Sequence, residues 1–173
     1  ELGNQYVVRS LYFDDPSSSA FFDKVDGVMI RQKYRIRTYN YEWHQGLPIF
    51  LESKGRHNER TYKNRLRITK DDVVHFCEPF GEWSLLERYP HETLIESYLF
   101  DKERKRLRPR VLVDYLRKPF VSEYDRNFRV TLDCEVRSSR TNELFLTHEK
   151  GNWIDCRSGW TIMEIKFDRR LPK

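Results

Sequence analysis

Four cations, Arg31, Lys33, Arg35 and Arg37, occupy every second position of the run VMIRQKYRIRTY between Val28 and Tyr39. In a β-strand that period places all four on one face with Met29, while Val28, Ile30, Gln32, Tyr34, Ile36 and Thr38 point the other way. A helical period of 3.6 residues would scatter the charges, and the β-branched and aromatic content agrees with a strand. Like charges this close repel unless a polyanion or a set of carboxylates lies over them. Taken alone, the run also fits the solvated outer face of a two-layer sheet. The other strands bear on that choice.

Tyr6 to Phe13 (YVVRSLYF) reads as a strand stopped by Asp14, Asp15 and Pro16. Ser17 or Ser18 caps a short helix over Ala20 to Asp26, which Gly27 ends. After the cationic strand come Leu47 to Lys54 (LPIFLESK), a hairpin connection over Gly55 to Glu59, and Thr61 to Thr69 (TYKNRLRIT). Lys70 to Leu107 predicts two short helices, or a helix and a loop, outside the sheet, with Leu94, Ile95, Tyr98 and Leu99 at helical spacing. The charge run from Lys102 to Arg108 reads as a solvated helix end. Arg110 to Lys118, Phe128 to Arg137 and Thr161 to Phe167 are further strands. The stretch from Asn142 to Gly159 is irregular, with Gly151, Asn152 and Gly159 as turn residues.

Alternation on each strand collects charge on one face. Phe50, Glu52 and Lys54 share a face, as do Lys63, Arg65 and Arg67, and Glu164 and Lys166. Arg129, Thr131, Asp133, Glu135 and Arg137 form another such set, and Val113, Tyr115 and Arg117 face away from Leu112, Asp114 and Leu116. Ordinary exposed faces mix Ser, Thr, Gln and Glu with an occasional Lys. A closed sheet would turn these faces inward, where bases and acids neutralise one another and bind a multiply charged ligand, and helices or a partner would cover the apolar outer surface. Guanidinium forks and lysines clamp phosphoryl oxygens, and neighbouring carboxylates hold a divalent cation that offsets phosphate charge.

The chain of 173 residues fits one domain spanning 1–173, with 38% hydrophobic residues for a core and a formal net charge of +5 that points to an anionic partner. Cys77, Cys134 and Cys156 are odd in number and have no metal-ligand spacing, which predicts a reducing, cytoplasmic setting. No apolar run is long enough to span a membrane, and no signal peptide is visible. His44, His57, His75, His91 and His148 are scattered, so none is assigned a metal. A nucleic-acid module would interleave exposed aromatics with the bases, but Tyr34 lies opposite the cations, and Glu52, Asp133, Glu135 and Glu164 would repel a nucleic-acid backbone. No nucleic-acid partner is therefore expected.

The segments SLYFD (Ser10 to Asp14), RQKYRIRTY (Arg31 to Tyr39), FLESK (Phe50 to Lys54), YKNRLRI (Tyr62 to Ile68), DYLRKPF (Asp114 to Phe120), RVTLDCEV (Arg129 to Val136) and MEIKF (Met163 to Phe167) resemble, in order and spacing, the signature strands of the polyphosphate polymerase domain of the vacuolar transporter chaperone type, one of the triphosphate tunnel enzymes. The resemblance implies a mainly β (α+β) fold, an antiparallel β-barrel tunnel with short helices outside, whose charged centre binds triphosphate or a growing polyphosphate chain. It implies that Arg35 and Arg37 are the paired tunnel arginines, Lys54 the lysine of the E-x-K-like strand, and Lys63 and Arg65 the basic pair of the next strand. Arg117 and Arg129 would be further phosphate-contacting arginines, joined by Arg31, Lys33 and Lys166.

On the same resemblance Glu164 holds a catalytic Mn2+ or Mg2+, with Glu52, Asp133 and Glu135 binding metal or orienting the bases. The implied partners are a nucleoside triphosphate and inorganic polyphosphate, and a homo-oligomer stays open. Polymerase, tripolyphosphatase or another phosphohydrolase, and non-catalytic polyphosphate binder are the readings carried forward. Relative to the family, the chain starts after an expected E-x-K-like first strand and stops before a C-terminal helix and a basic Ser-Lys-Tyr element, so a fragment is expected. Arg35→Ala or Lys54→Ala should weaken phosphate binding with limited effect on the fold.

Overall fold

A computed structural model describes residues 5–79, 83–125, 127–146 and 152–167. Its strands are β1 (Tyr6–Asp14), β2 (Ile30–Thr38), β3 (Ile49–His57), β4 (Arg60–Ile68), β5 (Arg108–Val121), β6 (Arg129–Ser139), β7 (Trp153–Asp155) and β8 (Ile162–Lys166). The helices are α1 (Ser19–Val25), α2 (Lys70–Cys77), α3 (Leu85–Arg88) and α4 (Thr93–Lys105). All eight strands join one antiparallel sheet in the order β4-β3-β2-β1-β5-β6-β7, and β8 pairs with β6 beside β7.

The helices after β4 cover one face of this sheet. Leu11, Phe13, Tyr34, Ile36, Ile49, Leu51, Ile68 and Leu112 supply the sheet side of the core, and Phe76, Leu85, Leu94, Ile95, Tyr98 and Leu99 supply the helix side. Tyr98 lies at its centre, with its ring 5.3 to 5.4 Å from those of Phe13, Tyr34 and Phe76, and its hydroxyl donates to the Phe76 carbonyl at 2.6 Å. The Tyr34 hydroxyl reaches Asp101 of α4 at 3.1 Å, so the apolar face of the cationic strand is anchored under that helix. The four cations are thereby turned to the opposite face, which α2, α3 and α4 leave uncovered.

Several expectations need correction. The sheet is mainly β and antiparallel as expected, but it is not a closed barrel: among the described residues no ladder joins β4 to β7 or β8, and the result is an open sheet with one edge at β4 and the other at β7 and β8. Edge strand β4 carries Arg60, Lys63, Arg65 and Arg67, charges that discourage edge-to-edge pairing. Helix α1 forms close to its predicted bounds but buries none of its residues, so the outer cover comes from α2, α3 and α4. Its cap also differs. Ser18 makes no side-chain cap bond, whereas the Asp15 carboxylate accepts from the Ser17 and Ser19 amides at 2.8 and 3.1 Å, and Asp14 accepts from the Ala20 amide at 3.0 Å.

Lys102 is not part of a solvated helix end. It is 1% exposed, and its ammonium donates at 2.7 Å to the Phe76 carbonyl in the last turn of α2. Burial pushes its pKa down to about 8. The short strand β7 forms inside the stretch read as irregular, where Gly151 lies outside the described residues.

Gly55 is required by a close approach across the β3–β4 hairpin. A Cβ there would lie 2.0 Å from Cζ of Tyr62, whose ring crosses the glycine and whose hydroxyl reaches Gln32 of β2 at 3.4 Å. Gly55→Ala is therefore expected to force Tyr62 off its rotamer and cost about 0.5–1.5 kcal/mol. Thermal unfolding checks this: the penalty should vanish in a Tyr62→Ala background, and a penalty that persists there would show that the ring is not its cause.

Candidate functional site

Register assembles the face opposite α2, α3 and α4 from seven strands. Across the ladders, Arg37 pairs with Ser10, Arg35 with Tyr12 and Glu52, Lys33 with Lys54, Glu52 with Arg65, and Lys54 with Lys63. On the other side of β1, Tyr6 pairs with Arg117 and Val8 with Tyr115, Arg117 then pairs with Asp133, and on the last strand Thr131 pairs with Glu164 and Arg129 with Lys166. Residues paired directly across a ladder project to the same side, so these side chains form one continuous surface.

That surface is concave. Lys54 and Glu164 are five strand spacings apart through the sheet, which in a flat sheet would separate them by about 24 Å. Yet on this face, which α2, α3 and α4 leave uncovered, Val8 and Ser10 are fully buried and Thr131 is 3% exposed, so the sheet curls over its own side chains into an open trough.

Glu52 organises the β2–β3–β4 side of the trough. Its side chain is 2% exposed and meets four cations: Arg35 Nη2 at 2.7 Å, Lys63 Nζ at 3.0 Å, Arg65 Nε at 3.2 Å and Arg37 Nε at 3.8 Å. Oε2 also accepts from Arg35 Nε at 2.7 Å, while Oε1 sits in ion-pair range of Lys63 and Arg65 without a well-aligned hydrogen bond. Burial alone would raise the Glu52 pKa, but the Arg35 and Arg37 charges, the close ammonium of Lys63 and the hydrogen bond from Arg35 outweigh it and hold the carboxyl below its ordinary value.

The arginines are also held from their outer ends. Arg35 donates to the Tyr12 hydroxyl at 2.8 Å, and Arg37 donates to Ser10 at 3.1 Å and to Tyr115 at 3.3 Å. Arg65 stacks over Phe50, with its guanidinium carbon 3.5 Å from the ring centroid, and donates to the Tyr39 hydroxyl at 2.5 Å. Side chains fixed this way present guanidinium groups in set orientations, which lowers the entropy lost when an anion binds.

The β5–β6–β8 side has a second fork. Arg117 donates to both oxygens of Asp133, at 2.7 and 2.8 Å, which raises the arginine pKa further. Glu164 lies at the edge of this pair, 3.7 Å from Arg117 Nη2 and 3.4 Å from Lys166 Nζ, and is 42% exposed. Its carboxyl is raised by burial but lowered more by Lys166, Arg117 and Lys54, leaving it below the ordinary value and ionised.

The trough thus brings together Lys33, Arg35, Arg37, Glu52, Lys54, Lys63, Arg65, Arg117, Asp133, Glu164 and Lys166. Arg31 lies farther along β2, where it donates to the Val28 carbonyl at 2.6 Å, and Arg129 is exposed beside Lys166. Glu135 is placed elsewhere. It has a positive φ of 54° at an irregularity where β6 gains a residue against β5, so strict alternation fails there. Glu135 is exposed next to the loop after β7, and Arg137 moves to the helix-side face, pairing with Asp114, which Arg9 grips through a buried fork at 2.8 to 2.9 Å. Trp153 takes a packing role there, under both arginines. Tyr12, Ser10 and Tyr115 were not among the expected site residues. The alternation of β1, with Tyr6, Val8, Ser10 and Tyr12 on one face, contained the signal for the first two.

The carboxylates differ in their capacity to hold a divalent cation. Among the described residues no group of three or more His, Cys, Asp or Glu side chains forms a ready-made metal cage, and His148 lies outside them. Glu52 and Asp133 commit their oxygens to arginine and lysine, and Glu135 is off the trough. Glu164 alone of the four expected ligands is half exposed within it. One carboxylate that leaves the remaining ligands to phosphate oxygens and water fits Mg2+ or Mn2+ arriving with a phosphate.

No helix among the described residues is long and apolar enough to cross a membrane. No curated protein matches the sequence. The family model for the VTC domain matches residues 2–173, and the chain belongs to the VTC domain family.

Proposed function

We propose that the trough binds inorganic polyphosphate and passes phosphoryl groups to it from a nucleoside triphosphate, with Mg2+ or Mn2+ held at Glu164. The observation that carries this reading is the excess of oriented cations on one curled face, where Arg35, Arg37, Lys54, Lys63, Arg65, Arg117 and Lys166 surround the three carboxylates Glu52, Asp133 and Glu164. Membership of the VTC domain family supports polyphosphate as the anion. Arg35, Arg37 and Arg65, locked by Glu52 and the tyrosines, would bind phosphoryl oxygens, and Arg117 and Lys166 would do so beside Glu164. When bound, the cation would withdraw charge from the transferring phosphoryl group. Transfer of this kind needs no protein nucleophile, because the residues act by alignment and charge stabilisation.

The test is incubation of the protein with a nucleoside triphosphate and Mn2+, following both chain length and free phosphate. Growth of the chain supports polymerase. Phosphate release without growth would move the assignment to hydrolase, and tight polyphosphate binding without turnover would move it to a binding module.

Lys54 is the clean probe of phosphate contact. Its side chain is exposed and lines the trough without belonging to the buried Glu52 network, so Lys54→Ala is expected to weaken polyphosphate affinity about tenfold, on the order of 1.5 kcal/mol, with an unchanged thermal midpoint. Unchanged affinity, measured by titration calorimetry, would remove Lys54 from the site. Arg35 is a poorer probe than the sequence implies, because its bond to Glu52 makes it part of the fold as well as of the site.

A further inference from the structure

At the α1 end of the trough, a cavity of about 360 Å3 is lined by Lys24, Arg31, Lys33, Arg35, Lys54 and Arg56, with no Asp or Glu among its described lining residues. The ground around Glu52, where each nearby cation shares a carboxylate, claims Arg35 but none of the other five. Here Arg31 and Arg56 direct hydrogen bonds to main-chain carbonyls, of Val28 at 2.6 Å and of Asn58 at 2.5 Å. Lys33 is pushed below its ordinary pKa by burial and then by Lys24, with Asp14 and Tyr12 opposing and Arg31 adding to it, as expected where cations outnumber the nearby carboxylates. Crowding of this sort costs stability and is relieved by an anion. The cavity is also continuous with the row on β2. From Arg31 to Arg37 that row runs about 20 Å, and its four cations outnumber the phosphates of a single triphosphate.

We propose that this cavity holds phosphate groups of a polyphosphate chain beyond those bound around Glu52, with Lys24 of α1 and Arg56 of β3 as its outer contacts. The protein would then favour long chains over short ones through residues that take no part in the transfer itself. The inference rests on the polyphosphate reading of the trough. It accounts for the position of α1, a helix that buries nothing in the core yet sets Lys24 over the end of β2.

The double variant Lys24→Gln/Arg56→Gln tests it, with inorganic tripolyphosphate and a long-chain inorganic polyphosphate as the two probes at one ionic strength. Affinity for the long chain should fall about tenfold while that for tripolyphosphate stays within about twofold, and the salt dependence of long-chain binding should flatten as contacts are lost. Lys24→Glu alone, on an exposed position, should weaken long-chain binding in the same selective way. Equal losses for both probes, or parental affinity for both, would overturn the length-selective cavity while leaving the trough as a phosphate site. A parent protein that binds neither probe would instead overturn the polyphosphate reading beneath it.

Discussion

Replacing Glu52 by glutamine is expected to destabilise the protein by about 3 kcal/mol, toward the lower end of what removal of one partner from a buried ion pair costs. Glutamine keeps the size of the side chain but not its charge. Arg35 and Arg37, which are largely buried, would then lie beside Lys63 and Arg65 with nothing to offset their repulsion. The exposure of Lys63 and Arg65 moderates the loss, since water screens them. The pH dependence has a definite sign. Because the folded-state pKa of Glu52 is depressed, its contribution is fully present above the ordinary carboxyl value near 4.5 and is lost as pH falls through the lower folded value. The variant should therefore lose stability at neutral pH and show a shallower further loss on acidification. Added inorganic polyphosphate should raise its thermal midpoint more than that of the parent, because a bound polyanion replaces the missing charge. A variant as stable as the parent at neutral pH would show that Glu52 does not hold the face together.

The period of two made much of this site legible. It set Arg31 to Arg37 on one face of β2 and Glu52 with Lys54 on one face of β3, and the ladders then aligned Arg35 with Glu52 and Glu52 with Arg65. The core was legible for the same reason, since Tyr34 and Ile36 occupy the complementary positions and are buried under α4. Periodicity failed where the backbone broke its own repeat. The extra residue at Glu135 reverses the sides of everything after it on β6, and Glu is not a residue whose presence signals a left-handed conformation. Lys102 was misread for a different reason: its site is made by main-chain carbonyls at the end of α2, and contacts to carbonyls leave no pattern in the sequence. Likewise, whether a curled sheet closes depends on a pairing between its two edges that neither edge strand encodes alone. The chemistry of the carboxylates was equally hidden, because Glu52, Asp133 and Glu164 look alike in sequence and differ in how deeply each is buried and how closely cations hold it.

That difference makes Glu164 the residue whose substitution tests turnover against binding. Glu52 and Asp133 are buried against arginine at 2.7 Å, whereas Glu164 is half exposed, with Lys166 and Arg117 at the long separations of 3.4 and 3.7 Å. A trough whose sole purpose is to attract phosphate gains nothing electrostatically from a partly free carboxylate at its surface. A divalent cation accompanying the phosphate gives that carboxylate a purpose. Glu164→Gln should accordingly lower metal-dependent turnover at least about tenfold, about 1.4 kcal/mol in the barrier, and shift the metal concentration needed for half-maximal rate upward. In the absence of metal the same variant should bind inorganic polyphosphate as tightly as the parent or more tightly, since a repulsive charge is gone. Loss of the weak contacts to Lys166 and Arg117 should cost little stability, because both are near the surface and long. If Glu164 instead serves to neutralise those two cations, the variant would lose stability while its metal dependence stayed parental. Turnover measured against manganese and magnesium concentration, beside metal-free polyphosphate binding and thermal unfolding of the same two proteins, distinguishes the outcomes; a parental maximal rate with parental metal dependence would remove the metal from Glu164.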